Sequence, residues 1–349
     1  MNVTILYGGQ SAEHEVSILS AFNVANAALE GGYTVQPIFI TKEGQWLKGD
    51  LLNEPLNQVE DLEGLTLERM ANPGELAEVD TVVFPVLHGP NGEDGTIQGF
   101  LEVLNLPYVG SGVTASACGM DKIISKQLFE KAGLPQVPYV AFNRRQWQED
   151  QESWIQKCEG NLLYPLFVKP ANMGSSVGIS CAENQEELIE AVLEALIYDS
   201  RIVVEQGITA DECEVAVLGN DDLSVSVVGR LVKDAQFYDY DQKYINNTVT
   251  MEIPVQLPEA VTDKIQKYAL QAFQAIDGSG LSRVDFFVTS NHDIYINEIN
   301  TMPGFTKFSM YPELWRHTGL SFRDLVEELI QLALRQHRAR QELQQPNIK

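Results

Sequence analysis

Two short segments near the C-terminal end of the chain carry the residue types best suited to holding a metal ion beside a phosphate. They read R-V-D-F, with Arg283 and Asp285, and N-E-I-N, with Glu298 and Asn300. Both segments are typical of strands, in which side chains two residues apart share a face. A turn through S-N-H-D predicts a hairpin that brings the two polar faces side by side.

This hairpin would present two carboxylates, an amide oxygen and a guanidinium together. Hard oxygen ligands suit Mg²⁺, which keeps several waters and is completed by substrate phosphates, so Asp285, Glu298 and Asn300 are predicted metal ligands. Arg283 is left to neutralise a transferring phosphoryl group. An exposed hairpin with ordinary surface charges is the alternative. The polar residues of the second strand alternate with apolar ones beside T-M-P-G, which favours a functional site.

A candidate phosphate site lies near the middle of the chain. Lys169 ends a predicted strand, and five residues later comes the small-residue loop G-S-S-V-G. Small residues let backbone N–H groups approach phosphate oxygens, and Lys169 adds a point charge. The loop matches neither the Walker nor the Rossmann pattern, and a small-residue loop by itself is more often only a turn.

Three more charged residues are candidates for nucleotide binding. Lys122 qualifies because an acidic chain needs cations placed locally near its nucleotide. Glu205 ends a strand at a presumed domain junction, where a carboxylate could accept from an adenine amino group. Glu212 could accept from ribose hydroxyls. A solvated lysine and ordinary acids at strand ends are the competing interpretations.

Other segments hold candidate substrate contacts. Glu15, in H-E-V-S, opens the first helix, where it could hold a substrate ammonium group or only satisfy the helix dipole. His88 follows a buried strand, at the kind of strand end where α/β sheets place ligands. The aromatic-rich Y-D-Y-D-Q-K-Y lies in a long stretch without clear periodicity, which predicts a functional lid.

These residues must be positioned by a mixed α/β chain. The 349 residues predict two or three domains. At the N-terminus, Val3–Tyr7 is a predicted strand, and Ser11 is a predicted cap for a helix whose apolar face holds Val16, Leu19 and Phe22. In this N-terminal part, strands alternate with helices, which implies a parallel sheet with helices over it. The other predicted strands are Thr34–Ile40, Thr81–Pro85, Leu166–Pro170, Ile202–Gln206, Glu214–Leu218, Ser224–Leu231, Leu281–Val288 and Ile294–Ile299.

One long helix is predicted over Ala115–Ala132, followed by a linker at Gly133. The remaining predicted helices are Gly95–Leu104, Gln185–Ile197, Glu259–Ile276 and Phe322–Gln345.

The formal net charge of −25 argues against nucleic-acid binding, which needs basic surface. The four cysteines are far apart without a C-x-x-C pair, which predicts free thiols in a reducing compartment. The N-terminus lacks the pattern of a secretory signal, and no segment approaches the roughly 20 apolar residues of a membrane span. We therefore expect a cytoplasmic protein without membrane partners.

The motifs together resemble those of one family. In chain order, H-E-V-S, L-H-G-x-x-G-E-D-G, G-M-D-K, V-K-P with G-S-S-V-G, Y-D-Y-x-x-K-Y, S-R-V-D-F and N-E-I-N-T-M-P-G-F-T resemble the D-alanine–D-alanine ligases of the ATP-grasp superfamily. The resemblance covers essentially the whole chain. It implies an ATP-grasp fold with an N-terminal parallel-sheet α/β substrate domain (1–121), a central α+β domain (122–210) and a C-terminal α+β catalytic and metal-binding domain (211–349).

The resemblance also implies a reaction and its partners. The carboxylate of a first D-alanine attacks the γ-phosphate of ATP, which gives an acyl phosphate, and the amine of a second D-alanine attacks that carbonyl. The product is a dipeptide for peptidoglycan synthesis. ATP lies between the central and C-terminal domains with two Mg²⁺ ions, which Mn²⁺ can replace, and family members are usually homodimers.

Position by position, the resemblance implies a role for each candidate. Glu15 would anchor the ammonium group of the first D-alanine, and Ser175 and Tyr244 would hydrogen-bond with it and hold the lid shut. The implied catalytic residues are Glu15, Ser175, Tyr244, Arg283 and Lys243; the substrate-binding residues are His88, Gly304, Ser309 and Met310; the ATP-binding residues are Lys122, Lys169, Ser176, Glu205, Ile208, Glu212 and Phe287; the metal ligands are Asp285, Glu298 and Asn300.

Three alternatives stay open at the level of sequence. A D-alanine–D-lactate ligase of the same family would generally depart from the lid pattern that Tyr244 completes. An ATP-grasp ligase with other substrates fits the H-E-V-S motif and the tyrosine lid less well. A catalytically dead nucleotide-binding protein conflicts with the filled ligand positions.

Overall fold

The N-terminal sheet of the computed structural model is the platform for the first helix. The structure describes residues 1–65, 67–70, 72–78, 80–232 and 250–343. The sheet has the order β4-β3-β2-β1-β5, and β1 runs parallel to both β2 and β5. Its strands are β1 Asn2–Gly8, β2 Thr34–Ile40, β3 Trp46–Lys48, β4 Glu68–Arg69 and β5 Thr81–Pro85. The predicted parallel sheet is therefore confirmed, with the short β3 and β4 added in antiparallel pairing.

Helix α1, His14–Glu30, covers this sheet but begins later than Ser11 predicts. Ser11 does not cap it; its hydroxyl accepts from the backbone N–H of Glu13 at 3.1 Å. Val16 and Phe22 are buried as expected, whereas Leu19 is 43% exposed. The predicted apolar face is therefore wrong at Leu19, which lines a cleft instead of the core.

The predicted helix over Ala115–Ala132 is two helices. They are α4, Val113–Met120, and α5, Lys122–Lys131. The break falls at Asp121, whose backbone is extended (φ −81°, ψ 104°) and whose side chain accepts from the N–H groups of Ile123 and Ile124. An N-capping aspartate thus starts a new helix here and puts Lys122 at its first position. Short helices α2, Glu60–Glu63, and α3, Thr96–Val103, and the 3₁₀ turn Pro73–Glu78 precede them.

The central sheet is antiparallel, in the order β6-β9-β7-β8. The predicted strands Leu166–Pro170 and Ile202–Gln206 are confirmed, but β6, β8 and the helices α6 and α7 were missed. The elements are β6 Tyr139–Asn143, α6 Arg144–Glu149, α7 Gln151–Asn161, β7 Leu166–Pro170, β8 Ser180–Ala182, α8 Gln185–Tyr198 and β9 Arg201–Gln206.

The C-terminal sheet is also antiparallel, in the order β12-β11-β10-β13-β14. Its strands are β10 Asp211–Gly219, β11 Ser224–Val232, β12 Thr250–Glu252, β13 Gly280–Val288 and β14 Ile294–Asn300. The helices are α9 Glu259–Ala275, α10 Met310–Thr318 and α11 Phe322–Leu343. Helix α10 was missed by the sequence analysis.

Two of the three sheets share a hydrophobic core. One buried cluster joins Val3 and Phe84 of the N-terminal sheet to Ala216 of β10 and to Leu329 of α11. The central sheet has its own cluster, drawn from residues 140–204. Each fully buried aliphatic side chain stabilises its cluster by roughly 1.5–3 kcal/mol. The shared cluster therefore packs the N-terminal and C-terminal sheets against each other, whereas the central sheet is stabilised by its own cluster. Each sheet falls within one predicted domain range, although α5 packs on the C-terminal sheet through Phe129.

No helix in the described part of the chain combines the length and apolar character that crossing a bilayer requires.

Candidate active site

A cleft of about 360 Å³ opens where the start of α1, the loop after β7 and the β13–β14 hairpin meet. Its walls hold Glu13 and His88 from the N-terminal part, Ser175 from the central part, and Arg283 and Glu298 from the C-terminal part. Residues far apart in sequence thus converge on one space, as the hypothesis of a shared catalytic centre requires.

A second cavity, of about 220 Å³, lies between the central and C-terminal sheets. The two cavities have a common wall that includes Lys122, Arg283 and Glu298. All the predicted ATP-binding residues line the second cavity: Lys122, Lys169, Ser176, Glu205, Ile208, Glu212 and Phe287. A phosphate in the second cavity and a small molecule in the first cavity would therefore lie on opposite sides of these charged side chains.

The β13–β14 hairpin has the predicted geometry. Across the strand pair, Arg283 lies opposite Asn300 and Asp285 lies opposite Glu298. Arg283 donates two hydrogen bonds to Asp285, at 2.8 and 2.7 Å, and its Nε lies 2.9 Å from Glu214 Oε2. Burial alone would lower the pKa of Arg283, but these carboxylates raise it well above its ordinary value. The guanidinium is therefore permanently charged and held in place at the common wall.

The hairpin suits a divalent cation. Asp285 and Glu298 lie directly opposite each other, where like charges repel, and Arg283, which Asp285 shares with Glu214, offsets only part of this charge. Asn300 Oδ1 accepts from the N–H of Met302 at 2.9 Å, which orients the amide. No group of three or more His, Cys, Asp or Glu among the described residues could form a metal cage. Two carboxylates and an amide oxygen nevertheless match Mg²⁺, which takes its remaining ligands from water and phosphates.

A buried ion triad adjoins the second cavity, which Lys169 and Glu205 line. Glu205 is 3% exposed, and its two carboxylate oxygens lie 2.6 Å from Lys169 Nζ and 2.8 Å from Lys126 Nζ. Burial by itself raises the pKa of Glu205, but the two lysines lower it to about 2. The Glu205 carboxylate therefore forms ion pairs with two lysines. Its predicted hydrogen bond with the adenine amino group stays a prediction. Lys126 was missed by the sequence analysis.

Replacing Glu205 with glutamine is expected to destabilise the fold by about 3 kcal/mol, because it leaves two buried lysines without their counter-charge. Since the pKa of Glu205 is lowered from its ordinary 4.5 to about 2, its contribution is complete above pH 4.5 and is lost as the pH falls towards 2. Denaturant unfolding of wild type and Glu205→Gln between pH 7 and pH 2 measures both effects. The difference between the two proteins should shrink across that acid range.

The control for this comparison is Glu194→Gln. Glu194 is an exposed acid on α8 of the same central part, and it accepts a hydrogen bond from the Ser180 hydroxyl at 2.5 Å. We expect its replacement to leave the stability within about 0.5 kcal/mol of wild type. Equal stability of the two variants would contradict the assigned role of the triad.

Lys122 projects from the first position of α5 into both cavities. Its Nζ donates to the carbonyl oxygen of Met173 at 2.7 Å and lies 3.9 Å from Glu298 Oε2. Burial lowers the pKa of Lys122, although Glu298 acts in the opposite direction. The Lys122 ammonium group is therefore fixed between the predicted metal ligands and the predicted phosphate loop.

The predicted phosphate loop has a strained backbone. Ser175 and Ser176 have positive φ angles of 49° and 59°, which non-glycine residues rarely adopt. Strain of this kind concentrates at ligand-binding sites. The Ser175 hydroxyl donates a short hydrogen bond to Glu13 Oε1, so the loop is tied to the start of α1.

The assignment of Glu15 as the partner of Ser175 is wrong; Glu13 occupies that place. Glu13 precedes the first helical residue, is 8% exposed and lines the cleft. Glu15 lies in the first turn of α1, where its side chain is 62% exposed and bonds to Lys42 at 2.8 Å. The hydrogen bond from Lys42 lowers the pKa of Glu15, and the place of Glu15 in the first turn of α1 fits the helix-end role that was its alternative.

Glycines make room for the Glu13 carboxylate. A Cβ atom on Gly89 would lie 2.7 Å from Glu13 Oε2, and one on Gly174 would lie 2.9 Å from it. Both distances are shorter than non-bonded contacts allow, so neither position admits a side chain without displacing the carboxylate. The loop after β5 and the loop after β7 therefore enclose Glu13 from two sides.

His88 lies where the sequence predicts, on the wall of the cleft, and it is fully enclosed. Nδ1 lies 3.1 Å from the carbonyl oxygen of Met302 and 3.6 Å from Glu93 Oε1, while Nε2 lies 3.1 Å from Ser20 Oγ. Burial would lower the pKa of His88, but Glu93 raises it above the ordinary value. His88 thus links the cleft to the loop that precedes α10.

The residues predicted to receive a second substrate lie together at one end of the cleft. Gly304, Ser309 and Met310 all line it. The backbone N–H of Thr306 donates to Ser309 Oγ at 2.9 Å, and a Cβ on Gly304 would lie 2.7 Å from that hydroxyl. Position 304 therefore admits no side chain larger than that of glycine unless Ser309 moves.

Two predicted catalytic residues, Lys243 and Tyr244, lie outside the described residues. Glu13, Glu93, Lys126 and Glu214 were not among the predicted residues, although local signals existed for two of them. Lys126 follows Lys122 by four residues, which puts both on one helix face. Glu93 stands inside the quoted L-H-G-x-x-G-E-D-G motif.

Two family models match the chain. The model described as "D-ala D-ala ligase N-terminus" matches residues 2–111, and "D-ala D-ala ligase C-terminus" matches residues 128–331. Among curated proteins, the D-alanine–D-alanine ligase of Enterococcus hirae is 58% identical, with 98% of each chain covered. That of Enterococcus faecalis is 56% identical, with 96% of this chain and 99% of the relative covered.

Solved structures of the same kind superpose on the chain. The D-alanine–D-alanine ligase from Coxiella burnetii matches with a TM-score of 0.83 and 36% identity, covering 98% of both chains. The VanG D-Ala:D-Ser ligase from Enterococcus faecalis matches with a TM-score of 0.82 and 33% identity, covering 95% of this chain and 99% of that one.

Proposed function

Since the chain belongs to the D-alanine–D-alanine ligase family and has its ATP-grasp fold, we propose that it joins two D-alanine molecules at the expense of ATP. The product would be D-alanyl-D-alanine, a precursor of peptidoglycan. The observation that carries this proposal is the common wall of the two cavities. Arg283, Lys122 and Glu298 stand there between the nucleotide cavity and the cleft that holds Glu13.

We place ATP in the second cavity, where basic side chains and the acidic residues proposed to bind the metal lie together. Lys169 and Lys122 both line it, and the loop at Ser175 and Ser176 adds backbone N–H groups. Glu205 keeps Lys169 in one position. Triphosphate oxygens placed here would meet fixed cations and need little rearrangement of the protein.

Glu13 is the best-placed group for the ammonium of the first D-alanine. Its carboxylate is fixed by Ser175 and enclosed by the two glycine-containing loops. An amino acid anchored there can extend its own carboxylate towards Arg283 and the nucleotide cavity. Attack of that carboxylate on the γ-phosphate then releases ADP and forms an acyl phosphate, and Arg283 offsets the charge of the transferring group.

The second D-alanine enters beside Gly304, Ser309 and Met310. Its amine, once it has lost a proton, attacks the acyl carbonyl. Inorganic phosphate leaves, and the peptide bond is formed. In this scheme, the protein mainly positions reactants and neutralises charge.

Asp285, Glu298 and Asn300 are the proposed ligands of two Mg²⁺ ions, which Mn²⁺ can replace. The metal would supply charge neutralisation for the phosphate oxygens. A homodimer and a cytoplasmic location, which the resemblance implies, also belong to this proposal. Sedimentation of the purified protein tests the dimer.

The deciding experiment is phosphate release by the purified protein with ATP, Mg²⁺ and D-alanine, followed by identification of the product. We expect phosphate release that depends on D-alanine, and D-alanyl-D-alanine in equal amount. Absence of the dipeptide would overturn the proposal. Competing D-alanine with D-serine and D-lactate as acceptors across a pH range tests the alternatives that the VanG likeness and the sequence leave open.

A further inference from the structure

Glu214 is a buried carboxylate at the common wall to which neither the sequence nor the proposed reaction assigns a role. It lies on β10, is 5% exposed, and lines both cavities. Across the β10–β13 pair it stands opposite Asp285. Its Oε2 lies 2.9 Å from Arg283 Nε. A buried charge of this kind is costly unless its partners require it.

Arg283 binds two carboxylates, those of Asp285 and Glu214. Asp285 accepts two hydrogen bonds from the guanidinium, yet Asp285 is also a proposed metal ligand. Oxygen atoms that coordinate a divalent ion lose electron density to it and bind a guanidinium less strongly. If Asp285 were the only partner, Arg283 and the metal would compete for the same two oxygens.

We propose that Glu214 is a positioning residue that carries Arg283, so that Asp285 is available to the divalent ion. The inference rests on the proposed function, because it takes Asp285 as a metal ligand. Glu214 reaches Arg283 from β10, the strand on the side of β13 away from the β14 ligands. Glu214 can therefore keep the Arg283 guanidinium at the common wall and neutralise its charge when Asp285 coordinates the metal.

The direction of the effect follows from charge. In Glu214→Gln, Arg283 would draw more strongly on Asp285, and the wall would carry one negative charge less. Both changes weaken binding of a divalent cation. Groups that act one step behind the metal ligands commonly change metal affinity by about 10–100-fold when they are replaced. We expect a loss of about 10-fold for Glu214→Gln and a smaller one for Glu214→Asp, which keeps the charge.

The test is a titration of Mn²⁺ into purified full-length protein with ADP present, followed by the electron paramagnetic resonance of free Mn²⁺. The matched control is Asp211→Asn. Asp211 lies on the same strand, bonds to Arg230 at 2.7 Å, and does not line either cavity. Binding of ADP without metal, measured by calorimetry, shows that each variant keeps a folded nucleotide cavity.

A 10-fold weaker Mn²⁺ affinity in Glu214→Gln, with Asp211→Asn like wild type, supports the inference. Unchanged affinity in Glu214→Gln would overturn it and leave the proposed function intact. An equal loss in both variants would also overturn it, because the cause would then be the net charge of the sheet. Failure of wild type to bind Mn²⁺ with ADP would refute the metal site and with it the proposed function.

Discussion

Replacing Glu13 with glutamine is expected to lower kcat/KM for D-alanine by about 1,000-fold, whereas Glu15→Gln should leave it nearly unchanged. Glu13 is a buried carboxylate at the cleft that can pair with a substrate ammonium group. Loss of one partner from a buried charge pair costs about 2–5 kcal/mol, and about 4 kcal/mol corresponds to a factor of 1,000. Steady-state phosphate release at varied D-alanine concentration measures the effect.

Glu15→Gln is a closely matched control, because the two acids are two residues apart in one segment. The Glu15 side chain is exposed on the outer surface, and its carboxylate accepts a hydrogen bond from Lys42 at 2.8 Å. A surface pair of this kind contributes about 0–1 kcal/mol, and its loss should not reach the cleft. A large loss of activity in Glu15→Gln with a normal Glu13→Gln enzyme would reverse the assignment.

Replacing Glu298 with alanine is expected to abolish turnover at physiological Mg²⁺. Glu298 stands opposite Asp285 at the common wall, and its removal leaves one carboxylate and one amide as the protein's proposed metal ligands. Charge stabilisation by a metal is worth several kcal/mol, so kcat should fall by at least about 1,000-fold. Phosphate release measured over a range of Mg²⁺ concentrations separates weaker metal binding from slower chemistry.

Asp293→Asn provides the control on the same hairpin. Asp293 is an exposed acid in the turn between β13 and β14, so its replacement removes the same charge without reaching the wall. We expect activity within about twofold of wild type, as for most surface substitutions. Full activity in Glu298→Ala would show that Glu298 is not a required ligand.

Local patterns in the sequence predicted the β13–β14 hairpin and its polar faces correctly. The alternation of polar and apolar residues and a short turn between strands determine such a hairpin within about twenty residues. The strands Leu166–Pro170 and Thr34–Ile40 were predicted to the residue for a related reason, since each is an apolar run with clear ends. Elements shorter or less apolar than these, such as β8, gave no comparable signal.

Side-chain partners across the fold could not be predicted in the same way. The choice between Glu13 and Glu15 depends on where α1 begins and on which distant loops lie against it, and the sequence places an acid at both positions. The Lys126–Glu205–Lys169 triad joins α5 to strands β7 and β9 of the central sheet. The break at Asp121 did have a local signal, because an aspartate just before an apolar-periodic segment is a typical N-cap.

The division of the hydrophobic core has a mechanical consequence. Tyr33 donates to Glu327 of α11 at 2.7 Å, and Arg340 of α11 lies 2.9 Å from Glu102, so polar contacts reinforce the core that the two flanking sheets share. The central sheet joins this body through residues 132–138 and 207–210. The Lys126–Glu205 ion pair and the hydrogen bond from Ser175 to Glu13 also join the central part to this body. We therefore expect a movement of the central sheet away from the other two sheets to break these polar contacts first, while the cleft beside Glu13 and His88 keeps its N-terminal and C-terminal walls at a fixed separation.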